Sequence, residues 1–115
     1  MATTPEGKVK NIVKKYLKKY VDNGSMYYFM PSQGAFAKKG VPDFIICFNS
    51  KFLSIETKAE GKRNATTELQ DLTIAKIKKS LGIAEVISCE LEMKEFEEKY
   101  LKWYRVFKLL LKSQS

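Results

Sequence analysis

Asp43 and Glu56, thirteen residues apart, with Lys58 two residues further on, are the side chains of this sequence best suited to chemistry. A phosphodiester is an anion that repels hydroxide, so hydrolysing it calls for a hard divalent cation that offsets the phosphate charge and lowers the pKa of a coordinated water. Carboxylate oxygens are the ligands that such a cation, Mg2+ or Mn2+, prefers, and the backbone carbonyl of Thr57 can add another. A lysine beside them can orient the attacking water or stabilise the charge that builds on the phosphate. An isolated acid-x-Lys triplet is more often just the solvated end of an edge strand. Here Gly40-Val41-Pro42-Asp43 and the surrounding strand patterns set it apart.

The elements that must position these groups are short. Val41 to Phe48 and Phe52 to Lys58 are β-branched and aromatic runs separated by Asn49-Ser50, the signature of a hairpin. On the second strand a period of two puts Phe52, Ser54, Glu56 and Lys58 on one face and Leu53, Ile55 and Thr57 on the other. Asp43 opens the first strand, and an antiparallel turn at 49–51 brings it beside the end of the second. Met26 to Met30 reads as an earlier strand, residues 66–81 as a helix stopped at Leu81-Gly82, and residues 83–88 as a last strand. A hairpin feeding a helix that returns to another strand predicts a mixed β-sheet flanked by α-helices.

Two more polar residues fall on helix faces that should meet the sheet. Residues 5–21 place Val9, Ile12, Val13, Tyr16, Leu17, Tyr20 and Val21 at helical spacing, with six lysines on the other faces. Glu6 lies on the apolar stripe, where it is read both as a third metal ligand and as a residue complementing the helix dipole, with Thr3 or Thr4 as cap and Pro5 in the first turn. Gln70 shares a face with Ile74, Ile77 and Leu81. A buried amide needs partners, which Lys58, a water on the metal or a phosphate could provide. The alternative is a glutamine at the solvent end of the first turn.

Taken together, these pieces resemble a PD-(D/E)XK nuclease, and within that superfamily the small stand-alone VRR-NUC domains of phages and bacteria. The resemblance rests on Glu6 in an N-terminal helix, the polar glycine-containing loop, Gly40-Val41-Pro42-Asp43, Glu56-Thr57-Lys58 and Gln70, and covers residues 5–90. It implies a restriction-endonuclease-like α/β core and metal-dependent cleavage of DNA, with four-way junctions or flaps as substrates. Catalytic roles are then expected for Asp43, Glu56, Lys58 and Gln70, and metal ligation for Glu6, Asp43, Glu56 and the Thr57 carbonyl. The alternatives are a flap-cutting or single-strand-nicking enzyme, or a non-catalytic nucleic-acid-binding protein that kept the fold.

Composition narrows the field. The chain has 115 residues and no histidine, which excludes histidine-based nucleases, Ser-His-Asp hydrolases and histidine-ligated zinc. At that length a single nuclease domain is expected, with a core at 5–90 and an additional C-terminal helix at 92–112. Cys47 and Cys89 form no CxxC element and are read as two reduced structural thiols. No apolar run reaches the length of a membrane span, and the polar start does not resemble a signal peptide, so the expected setting is intracellular, in a bacterium or a phage-infected host.

The net charge of +8 comes from 21 basic and 13 acidic residues and suits a polyanionic partner. Residues 1–63 hold twelve Lys or Arg against five acids, three of them the candidate ligands. Lys38 and Lys39 before the Gly40 turn, Lys62 and Arg63 after the second strand, and Gln33 in the loop at 32–39 are the expected DNA contacts. In the closing helix, acids at the start and bases at the end match the helix dipole. Its aromatic face, Phe96, Tyr100, Trp103, Phe107 and Leu110, either covers the sheet or joins two subunits of a homodimer.

Overall fold

The computed structural model describes residues 3–102. Helix α1 (Pro5–Asp22) is followed by β1 (Met26–Phe29), β2 (Phe44–Phe48), β3 (Lys51–Thr57), α2 (Glu68–Lys79), β4 (Ile83–Ile87) and α3 (Glu90–Phe96), which continues into a π-helical segment, Glu97–Lys102. The four strands form one sheet in sequence order, with β1-β2 and β2-β3 antiparallel and β3-β4 parallel. This is the mixed sheet flanked by helices that the patterning predicts.

Apolar periodicity accounts for the core. Val9, Val13 and Leu17 of α1 pack with Phe44, Ile46, Phe48, Leu53 and Ile55, so one face of the sheet is closed by α1 together with α3. Met93, Phe96 and Leu101 belong to the same core, and the Tyr20 hydroxyl donates to Glu97 Oε2 at 2.7 Å, tying α1 to the π-helical segment. The closing helix therefore begins at Glu90, and its described part serves the core of this chain. Trp103, Phe107 and Leu110, on which the dimer expectation rests, lie outside the described residues.

Three local expectations need correction. Strand β2 begins at Phe44 and not at Val41, because Pro42 has no N–H for the ladder and the chain is still leaving the Gly40 turn. The stop after α2 is made by Leu81 itself at φ 67°, and its side chain is 93% exposed, so it does not share the inner face of Gln70. Gly82 is needed for contact instead, since a Cβ there would lie 2.8 Å from Ile77 Cγ2. Cys47 is exposed, not a core thiol, and both cysteines are free. No helix among the described residues is long and apolar enough to cross a membrane.

Candidate metal centre

The β2-β3 hairpin fixes the centre of the site. Phe48 pairs with Lys51 across Asn49 and Ser50, whose φ angles of 50° and 65° make the tight two-residue turn of a twisted hairpin. From there the register runs to Phe44 opposite Ile55, and just before β2 Asp43 brings its carboxylate within 4.8 Å of that of Glu56. Both are buried, at 5% and 4% exposure. Gly40 sets the approach of the chain to Asp43. Its φ is +81°, and a Cβ would sit 2.7 Å from the Leu69 carbonyl oxygen, so the loop lies flush against the start of α2.

Asp43 is held by a residue given a different role in the sequence reading. The Thr57 amide and the Thr57 hydroxyl both donate to Asp43 Oδ2, at 2.9 and 2.6 Å. Asp43 Oδ1 faces Lys10, whose ammonium is 3.7 Å away. Lys10 was not among the sequence candidates, although its i+4 spacing from Glu6 places it on the same side of α1.

Glu6 completes the cluster. Thr4 caps α1, its hydroxyl oxygen accepting from the Gly7 amide at 3.0 Å, and this leaves the Glu6 carboxylate free to turn toward the sheet. Carboxylate oxygens of Glu6, Asp43 and Glu56 lie within 4.8 Å of one another. Gln70 does two things. It forms a capping box with Thr67, and its Nε2 donates to Glu56 Oε1 at 3.1 Å. Its partner in the site is thus Glu56.

Lys58 follows directly on β3, its amide bonded to the Ile87 carbonyl at 3.0 Å. Its charge is close enough to act on Glu56. The Glu56 carboxyl is pushed up from 4.5 to about 8, by burial first, then by the Asp43 charge and a hydrogen bond with Asp43, with Lys58 opposing and Glu6 adding. Two buried carboxylates face to face do not both ionise without a cation. Three converging carboxylates, one of them holding a proton at neutral pH, form an oxygen donor set that fits a hard divalent ion.

This shift makes a prediction about stability. Glu56 binds a proton more tightly in the folded chain than in the unfolded one, so its contribution is fully present below about pH 4.5 and is lost as pH rises through about 8. Urea unfolding in a chelator should show wild-type stability falling relative to Glu56→Gln across that window. Parallel curves for the two proteins would mean that Glu56 is ionised throughout.

The remaining sequence candidates divide. Gln33, Lys38, Lys39 and Lys62 are exposed. Arg63 is exposed as well, its side chain at 44%, and has partners within the chain: its Nη1 donates to the Val86 carbonyl and pairs with Glu92 at 3.2 Å, and its Nη2 lies 3.8 Å from Glu85. Its guanidinium therefore braces β4 against α3, which the adjacent Lys62-Arg63 pair in the sequence did not suggest.

A solved structure described as a VRR_NUC domain superposes on this chain with a TM-score of 0.69, covering 84% of this chain and 98% of that one at 16% identity. The fold is that of a VRR_NUC domain. No family model matches the sequence, nor does any curated protein. At 16% identity the VRR_NUC likeness is carried by backbone arrangement. The carboxylate cluster is a feature of this chain's own geometry.

Proposed function

We propose that this chain is a Mg2+- or Mn2+-dependent endodeoxyribonuclease that hydrolyses phosphodiester bonds in structured DNA such as four-way junctions. The observation that carries the reading is the convergence of Glu6, Asp43 and Glu56 within 4.8 Å, in a VRR_NUC fold with a +8 charge. Glu6, Asp43 and Glu56 hold the cation, with the Thr57 carbonyl as a further oxygen, and Thr57 also fixes Asp43 through its amide and hydroxyl. A divalent ion bound there supplies neutralisation of the phosphate charge and an acidified water. Lys58 orients that water or stabilises the charge developing on the phosphate, and Gln70 keeps Glu56 in place. Gln33, Lys38, Lys39, Lys62 and Arg63 contact phosphates on either side of the scissile bond.

Digestion of a panel of junction, flap, splayed and linear duplexes with Mg2+, Mn2+ or chelator tests this reading. Metal-dependent incision concentrated at branch points is expected. Metal binding with no incision of any DNA would leave a nucleic-acid-binding protein of nuclease-like fold.

The reading includes a homodimer in an intracellular setting, because resolving a four-way junction takes two symmetric incisions, which a two-fold pair of sites provides. Phe96 belongs to the core, and the rest of the aromatic face that motivates the dimer, Trp103, Phe107 and Leu110, lies outside the described residues. Sedimentation at micromolar concentration should give a dimer, and W103E with F107E should give a folded monomer. A monomeric wild type would redirect the reading to a flap-cutting or nicking enzyme.

A further inference from the structure

The face of the sheet onto which Glu56 projects, opposite the one that α1 closes, is only half covered. Gln70 reaches Glu56 and α2 packs against β4, yet α2 buries none of its own residues, and β1 and β2 have no helix over this face among the described residues. The register places two rows of side chains there. Phe29, Ile45 and Ser54 lie in the row next to Glu56, and Tyr27, Cys47 and Phe52 lie in the row beyond. Two residues of strand advance about 7 Å, so the rows stand about 7 and 14 Å along the sheet from Glu56. Tyr27 is 69% exposed, Phe29 49% and Phe52 45%. Three exposed aromatic side chains on one sheet face, with Ile45 and Cys47 between them, are unusual on a solvated sheet and mark an interaction site.

We infer that this open face is a stacking surface for unpaired bases of the DNA strand whose phosphodiester is held at the carboxylates. The inference rests on the nuclease reading and narrows its substrate to structured DNA whose branch point leaves unpaired nucleotides beside the bond that is cut. Three considerations select this occupant. The rows run along β3 to Glu56 on one face, so a strand that reaches the carboxylate cluster at the end of the sheet lies across or beside them. Aromatic rings gain from bases only where base faces are exposed, and in a paired duplex those faces are already stacked. A second copy of the chain laid over the same face, at the roughly 10 Å spacing of stacked sheets, would roof over the carboxylates and deny them a substrate.

The experiment uses the full chain with Ca2+ in place of Mg2+, and a splayed duplex carrying 2-aminopurine in its unpaired arm. A fully paired duplex of the same sequence is the control. Wild-type protein should favour the splayed form and change the 2-aminopurine emission. Tyr27→Ala and Phe29→Ala should each weaken binding to the splayed form about tenfold and abolish the emission change, with paired-duplex affinity unmoved. Tyr27→Phe should keep both. Equal losses on the two duplexes, no loss on either, or loss of a sedimenting dimer with base stacking intact would overturn the inference. If the wild type also cleaves no DNA in Mg2+ or Mn2+, the nuclease reading falls with it; if cleavage stands while Tyr27→Ala binds the splayed form normally, only the stacking role falls.

Discussion

Lys58→Ala is expected to lower DNA cleavage by at least about a hundredfold to a thousandfold while leaving DNA affinity within a few-fold of wild type. The asymmetry follows from where the charge sits. Lys58 is tethered through its amide to β4 and its ammonium acts on the neighbourhood of Glu56, in the interior of the site. Ground-state attraction for DNA is spread over many exposed lysines, whereas an interaction strengthened only as charge builds on the phosphate affects the rate alone. Removing Lys58 also removes a positive charge that opposes the raised Glu56 pKa, so the variant should need a higher pH to take up metal. Cleavage rates and gel-shift affinities measured side by side decide the matter. Wild-type turnover in the variant would end the role assigned to Lys58.

The parts of the site that were legible in the sequence are those set by local periodicity. Alternation on the second strand and a two-residue turn were enough to bring Asp43 beside Glu56, and the apolar stripe of α1 was enough to turn Glu6 inward. What escaped depended on tertiary neighbours. Thr57 lies on the alternation that excludes it from the Glu56 face, yet at the end of the strand its amide and hydroxyl reach across to Asp43. Arg63 looked like a free cation because its partners, Glu85 and Glu92, are more than twenty residues away in sequence. The four residues of β1 are apolar or aromatic on both faces, so pattern alone could not say that Tyr27 and Phe29 remain uncovered. That depends on α2 packing against β4 and leaving the β1-β2 half of the face open.

Asp43→Asn and Glu56→Gln should each abolish Mn2+ binding and cleavage together, and neither should weaken DNA binding, since deleting a carboxylate also removes repulsion from the phosphate. The amide variants are preferable to alanine. Asp43→Ala would strand the buried Thr57 amide and hydroxyl without an acceptor, at a cost of about 1–3 kcal/mol per group, and lost activity would then be confounded with lost fold. Asparagine retains an acceptor oxygen for Thr57, and glutamine at 56 retains one for Gln70. Calorimetry of the wild type carries an independent signature, because the proton that Glu56 holds up to about pH 8 has to leave when a cation enters. Mn2+ affinity should therefore rise close to tenfold per pH unit between about pH 6 and 8, with a proton released to buffer on binding. Glu6→Gln, at the half-buried end of the cluster, should weaken Mn2+ less than either. Unchanged metal affinity in both Asp43→Asn and Glu56→Gln would place the metal elsewhere on the chain, whatever the cleavage data showed.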